Sequence, residues 1–295
     1  MQTNNTDVSV IFVNYKTKDL TINAIKSVIE KTEGLNYEIF VVDNNSQDGS
    51  AEAIEKEFPD IKVIKNPENK GFGSANNIAI KQSKGKYVLC LNTDTLLVNN
   101  AIKIMFDFME NNPKTGICGG ILYNSNMQIT NSAGPFPCLY LLLWKLGLRN
   151  IFKKHYNYIS GNNCIPEKVD FIVGADIMFR KSVLDDIGLF DENYFMFFEE
   201  SDLCYRAKKA NYDIKLVKDA KIIHLEGKST KNLLQKKKMF KKSEFYYFRK
   251  HYPDKYIFVK LLYILIFIFQ TYIMRAEYGK GILEFILNDC SEKIQ

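Results

Sequence analysis

The chain has no closely paired cysteines. Its six (Cys90, Cys118, Cys138, Cys164, Cys204 and Cys290) lie far apart with no CxxC among them, which argues against a zinc ribbon or a disulfide-stapled secreted fold and for reduced thiols. No export is expected either: MQTNNTDVSVIFVNY has no basic start, and its apolar run is short and valine-rich. Two nucleotide-binding signatures are lacking. A dinucleotide fold needs GxGxxG directly after its first strand, whereas the first strand here leads into NYKTKDL, and the later GFGSANN lacks the third glycine. The phosphate loop GxxxxGK[ST] is absent.

What is present is an ordinary globular composition. At 295 residues and 46% hydrophobic content the chain can bury a large core. The net charge of +6 is unevenly placed: residues 228–260 carry eleven Lys/Arg against Glu244 and Asp254, leaving the rest of the chain at −3. Overlapping the end of that basic segment is YIFVKLLYILIFIFQTYIM (Tyr256 to Met274), nineteen residues interrupted by Lys260 and a Gln-Thr pair. Such a segment can span a bilayer, lie in the interface of an anionic membrane beside its basic flank, or pack as a buried helix on its own domain. A membrane surface is the expected partner. Nucleic acid is not expected, because the aromatics in KKKMFKKSEFYYFRK permit base stacking but no recognised nucleic-acid module accompanies them.

The first hundred residues alternate strand and helix. VSVIFVNY (Val8 to Tyr15) has the continuous apolar character of a buried strand, and Leu20, Ala24, Ile25, Val28 and Ile29 recur at helical spacing. YEIFVVD is a second strand, followed by the turn-rich NNSQDGS with Ser50 as N-cap of AEAIEKEF. IKVIKN, GSANNIAIKQS and KYVLCLN give strand, helix and strand. This alternation predicts an α/β fold with a mostly parallel central sheet flanked by helices, and ligands in such sheets bind beyond the carboxyl ends of the strands. The middle, from Gly120 to Lys168, is irregular around LYLLLWKLGL, a short apolar helix suited to an acceptor pocket or to lipid. VDFIVGADIMFRKSVLDDIG then predicts strand, turn and helix. FEESDLCYRAKKANYD predicts a helix with Leu203, Ala207 and Ala210 on one face, and KLVKDAKIIHLEGKS a strand ending at His224.

The stretches VSVIFVNYKTKDL, VVDNNSQDGS, NKGFGSANNIAI, LNTDTLL, VGADIMFRKSVLDDIGLFDENYFMFFEESDLCYRAKKANY and IIHLEGKS together resemble the GT-A-fold glycosyltransferases of family 2, in particular their rhamnosyltransferase-like branch. They occur in that family's order and cover roughly residues 8 to 230. The resemblance implies a glycosyltransferase domain over 1–230, with a nucleotide-sugar half (1–120) and an acceptor half (121–230). Residues 231–295 would form a helical extension able to associate with membrane.

Site roles follow from the same resemblance. Asp43 accepts a hydrogen bond from N3–H of a uracil or thymine ring. Asn14, Asn69, Gly71, Gly73, Asn76 and Asn92 line the nucleotide-sugar site, four of them at a helix start suited to a diphosphate. Asp94 is the last acid of the family's metal motif, with Asn92 in place of the first, and His224 is its further ligand for Mn²⁺ or Mg²⁺. Glu200 stands at the base position, where aspartate is usual. Glu199 and Asp202 are its local competitors, and Arg206 has the spacing to pair with Asp202. Gly174, Ala175, Asp176, Glu199 and Asp202 fall on the acceptor side. The implied reaction is a single inverting displacement from a nucleotide-sugar donor, dTDP-rhamnose ahead of a UDP-sugar. The acceptor is a glycan or lipid-linked molecule of cell-surface polysaccharide synthesis, met at the cytoplasmic face of the membrane. The alternative is a catalytically silent sugar-nucleotide-binding scaffold.

Overall fold

A computed structural model of the chain describes residues 6–138, 169–225, 233–272 and 279–288; the predicted LYLLLWKLGL helix lies outside them. The described residues fall into two compact units, one formed by residues 6–136, 169–193 and 199–225, the other by 137–138, 194–198, 233–272 and 279–288.

The first unit is built on an eight-stranded sheet. Its strands are β1 (Val8–Asn14), β2 (Tyr37–Asp43), β3 (Lys62–Lys65), β4 (Tyr87–Leu91), β5 (Thr95–Leu97), β6 (Thr115–Tyr123), β9 (Asp176–Arg180) and β10 (Asp213–His224), in the order β3-β2-β1-β4-β9-β6-β10-β5. β7 (Ala133–Gly134) and β8 (Phe171–Ile172) form a separate antiparallel pair. Within the large sheet β9 runs antiparallel to β4 and β6, and β5 antiparallel to β10; the other pairings are parallel.

The apolar run of β1 reflects burial on both faces. Val8, Val10 and Phe12 enter one core with Ile25 and Val28 of α1 (Lys18–Lys31), Ile54 of α2 (Ser50–Glu57) and Met105 of α4 (Ala101–Asn111). Ile11 enters the other core with Ala75 and Ile80 of α3 (Phe72–Gln82), Val183 of α5 (Lys181–Ile187) and Leu203 of α6 (Glu199–Lys209). Cys90, Cys118 and Cys204 are buried without disulfides, and burial pushes the Cys204 thiol up to about 12, which suits inert, reduced thiols.

Three local expectations change. Ser50 is the first helical residue of α2, because Gly49 takes the left-handed conformation (φ 76°) and Asp48 accepts the Ser50 N–H at 3.1 Å in place of a Ser50 cap. Ala210 lies beyond the end of α6 and is exposed. LNTDTLL also contains β5, which the alternating pattern did not announce: three residues are too few for periodicity, and β10 supplies their partners.

The second unit contains α7 (Leu233–His251), α8 (Pro253–Tyr272) and α9 (Gly279–Leu287) around a core of Phe245, Phe248, Val259, Tyr263, Ile266, Ile282 and Ile286. Pro253 opens α8 at the position where its missing N–H costs nothing. α8 therefore packs one side on its own unit, while Ile257, Phe258, Leu261, Leu265 and Ile268 form an exposed stripe at helical spacing. Among the described residues no helix is long and apolar enough to cross a membrane.

Tight packing of the first sheet is testable at Gly119 of β6, where a Cβ would stand 2.4 Å from Ile172 Cγ2 and 2.9 Å from the Asp176 carbonyl oxygen. Gly119→Ala is expected to destabilise the protein by about 1–3 kcal/mol, read as a lowered urea midpoint.

Candidate functional site

The strand order reverses at β1, which has β2 on one side and β4 on the other. The carboxyl ends beside such a switch point are where an open α/β sheet binds ligands. Parallel register sets Asn14 directly beside Asp43. Asn14 Nδ2 donates to Asp43 Oδ1 at 2.6 Å and to Ser46 Oγ at 3.1 Å, and the Ser46 N–H donates to Asp43 Oδ2 at 3.1 Å. Asn14 Oδ1 accepts from the hydroxyls of Thr17 (3.0 Å) and Thr21 (2.8 Å), and Thr17 lies 3.0 Å from Thr93 Oγ1. Asn14 is completely buried, and its amide braces Asp43. Of these hydroxyls, those of Thr17 and Thr21 were not anticipated; Ser46 and Thr93 belong to the small polar segments that follow strands.

The segment before α3 is tied to the loop after β2. Asn44 Nδ2 donates to Asn69 Oδ1 (2.8 Å) and to the Gly71 carbonyl (3.3 Å), Asn66 Nδ2 donates to Asn44 Oδ1 (2.9 Å), and the Gly71 N–H donates to Asn69 Oδ1 (3.0 Å). Gly71 has φ 98°, a conformation that requires glycine there. Asn76 Nδ2 turns back onto the Phe72 carbonyl (3.0 Å), leaving its buried Oδ1 without a partner. Its neighbour Asn77 was missed by sequence reasoning: it donates to the Phe190 carbonyl (2.9 Å) and to Glu192 (3.0 Å) and accepts the Phe190 N–H (3.1 Å). Gly73 permits that closeness, since a Cβ there would stand 3.0 Å from Phe190 Cβ and 3.6 Å from Glu199 Cβ.

Asp94 and His224 are 130 positions apart in sequence. Antiparallel pairing sets His224 opposite Thr95, the Leu225 N–H donates to the Asp94 carbonyl at 2.9 Å, and His224 Nε2 comes within 3.3 Å of Asp94 Oδ1. Among the described residues no group of three or more His, Cys, Asp or Glu is arranged to hold a metal. One carboxylate oxygen facing one imidazole nitrogen does not make a closed cage, but it fits an open site whose remaining ligands are phosphate oxygens and water.

The residues expected on the acceptor side differ in their surroundings. The Asn92 N–H donates to the Ala175 carbonyl at 2.9 Å and Leu91 pairs with Asp176, so the Gly174-Ala175-Asp176 turn runs beside the end of β4. A Cβ on Gly174 would stand 3.7 Å from Cγ and Cδ of Glu200, which brings Glu200 to the same rim. Asp176 is fully buried, with Oδ2 accepting the Gly120 N–H at 2.6 Å and Oδ1 unpartnered, and burial holds this carboxyl well above its usual range. Asp202 accepts from Arg206 Nε at 2.8 Å while the same guanidinium donates to the carbonyls of Ile187, Gly188 and Leu189. Asp202 thus organises the α5–α6 corner, and the i,i+4 pairing foreseen with Arg206 is present.

Glu199 and Glu200 open α6. Glu199 is buried with Oε2 unpartnered, and burial, then the neighbouring Glu200 charge, push its carboxyl well up. Burial pushes Glu200 up to about 7 against the pull of the backbone N–H groups of Glu200 and Ser201 at the helix start. The folded state therefore favours the neutral acid, and the stability this contributes is present below pH 4.5 and lost as pH rises through about 7. Glu200→Gln, which keeps the neutral form at every pH, is expected to raise the urea midpoint relative to the unsubstituted protein increasingly from pH 4.5 to 7, with the gain levelling off above. A pH-independent difference would contradict the assigned shift.

The sheet order and the site at its switch point define a nucleotide-sugar-transferase type of α/β fold. A mannosyltransferase from Pyrobaculum calidifontis, solved in complex with GDP-Man and Mn²⁺, superimposes with a TM-score of 0.58 over 99% of this chain and 77% of its own at 14% identity. This likeness establishes a shared GT-A-like fold. Residues 9–188 match the model of glycosyl transferase family 2, and the chain belongs to that family. Curated relatives include the low-salt glycan biosynthesis hexosyltransferase Agl10 of Haloferax volcanii, 27% identical over 70% of this chain and 64% of its own length. Another is an N-acetylglucosaminyl-diphospho-decaprenol L-rhamnosyltransferase of Mycobacterium tuberculosis, 26% identical over 65% of this chain and 67% of its own. The chain thus spans about two thirds of the length of these relatives.

Proposed function

We propose that the chain is an inverting, metal-dependent glycosyltransferase that moves a sugar from a nucleotide-sugar donor to a glycan or lipid-linked acceptor in cell-surface polysaccharide synthesis. The observation that carries this reading is the approach of Asp94 and His224 to 3.3 Å on the rim that also holds Asp43 and Glu200. Asp43, its oxygens oriented by Asn14 and the Ser46 N–H, keeps lone pairs for a pyrimidine N3–H. The Gly71 turn and the start of α3 offer backbone N–H groups to a diphosphate.

Asp94 and His224 would hold Mn²⁺ or Mg²⁺, which when bound stabilises the negative charge of the departing diphosphate. Glu200 removes the proton from the acceptor hydroxyl as that oxygen attacks the anomeric carbon on the face opposite the nucleotide. A base poised near 7 is matched to this task, and the single displacement inverts the anomeric configuration. The rhamnosyltransferase relative favours dTDP-rhamnose as donor, and its diphospho-decaprenol acceptor favours a lipid-linked one. The exposed apolar stripe on α8, beside the basic α7, supports peripheral binding to the cytoplasmic face of an anionic membrane.

The test is donor hydrolysis and transfer with Mn²⁺ or Mg²⁺ across dTDP-rhamnose, UDP-glucose, UDP-galactose and UDP-N-acetylglucosamine. One donor is expected to turn over, with kcat rising as pH passes through about 7 and then level. Asp94→Ala and Glu200→Gln should each reduce turnover by roughly 100-fold or more. Donor binding that persists with turnover undetectable in every condition would identify a silent binding protein. Separately, Leu261→Gln with Leu265→Gln should lower co-sedimentation with phosphatidylserine vesicles while leaving hydrolysis of soluble donor unchanged; undiminished co-sedimentation would remove α8 as the contact.

A further inference from the structure

Glu199 and Glu200 follow directly on an aromatic loop, Tyr194-Phe195-Met196-Phe197-Phe198. Phe197 and Phe198 both hold left-handed backbone conformations, with φ 70° and 71°. That region is disfavoured for bulky residues, and two in succession persist only where surrounding contacts enforce them.

The contacts come from α7. Ser243 Oγ, almost completely buried, donates to the Met196 carbonyl at 2.7 Å. Phe240 meets both strained residues, with ring centroids 5.6 Å from Phe197 and 4.9 Å from Phe198, while Tyr247 lies 5.8 Å from Phe198 and Tyr246 4.8 Å from Tyr194. Phe240, Ser243 and Tyr247 share one helical face at i, i+3 and i+7. An adjoining face of α7 is locked to α8. Lys241 Nζ lies 2.5 Å from Glu244 and 3.8 Å from the centre of the Tyr263 ring, Tyr263 donates to Glu244 at 2.6 Å, and Phe245 packs edge-on to Tyr263 at 5.4 Å. The helix that grips the loop is therefore braced along the adjoining face.

We propose that α7 is a positioning helix for the reaction: through Phe240 and Ser243 it imposes the strained backbone of residues 194–198 and so fixes where the chain delivers Glu200. This rests on the reading of Glu200 as general base. The basic, aromatic segment around α7 then acts in setting the base, a role separate from any lipid contact.

The experiment uses the full chain carrying Phe240→Ala, Ser243→Ala and, as the conservative control, Phe240→Leu. Hydrogen exchange of the peptide spanning 194–201 reports the grip independently of activity. It is expected to accelerate in Phe240→Ala and Ser243→Ala and to return toward normal in Phe240→Leu. Turnover should fall by about 10- to 100-fold with the donor KM unchanged, because misplacing a catalytic group affects the chemical step more than binding. Phe240 is partly exposed, which limits the folding cost of its replacement. Unchanged exchange, or faster exchange with kcat intact, would overturn the positioning role alone, provided Glu200→Gln is inactive. Full activity in Glu200→Gln would remove the base assignment and the positioning role with it.

Discussion

The bond from Asn14 to Asp43 is the contact on which the site depends. A carboxylate at the end of a buried strand is costly unless several donors satisfy it, and here the neighbouring parallel strand supplies one donor in register while its own turn supplies another. Fixing Asn14 in turn requires acceptance of the Thr17 and Thr21 hydroxyls, so the start of α1 is bound into the same network. The link from Thr17 to Thr93 extends it to the residue beside Asp94. Strand register, helix start and the loop that carries Asp94 are thereby held by one continuous set of hydrogen bonds whose bonded partners are separated by up to 76 positions.

The chain buries carboxyls in three ways with three chemical results. Asp202 receives a guanidinium that also satisfies three carbonyls, which makes it a structural fastener. Asp176 receives one backbone N–H at Oδ2 while Oδ1 has no partner, so burial dominates and pushes this carboxyl well above its usual range. Glu200 lies at a helix start whose N–H groups partly offset desolvation, leaving it able to lose and regain a proton near neutrality. The sequence resemblance had already set Glu200 apart from Asp176 and Asp202; the environment adds that Asp202 is held by a guanidinium while Glu200 can exchange a proton near neutrality.

Much of the fold was legible because its signals are local. The continuous apolar runs of β1, β2 and β4 and the 3.6-residue pattern of α1 are consequences of burial that each segment records by itself. The motif order carried the family; Asp43 ends β2, Asp94 follows β4, and Glu200 lies in the first turn of α6. What could not be read was long-range or too short to be periodic: β5, the grip of Asn77 on Phe190, and the inward use of Asn14 and Asn69 as braces. These depend on which strand or loop arrives from elsewhere, and no window of sequence contains both partners.

The lysine-rich segment illustrates the same limit at a functional level. As composition it marks a charged surface, and much of α7 is indeed exposed. Yet Lys241 is mostly buried, its ammonium paired with Glu244 and resting on the Tyr263 ring, while Ser243 beside it turns to the Met196 carbonyl. A buried ion pair contributes little net stability once desolvation is counted, but it tolerates few alternative registers because each charge must find the other. Placed in α7, that requirement fixes the rotation of a helix whose adjoining face holds two phenylalanines in left-handed conformations. A segment whose average property suggests adhesion to a surface thus contains individual residues whose effect is orientation.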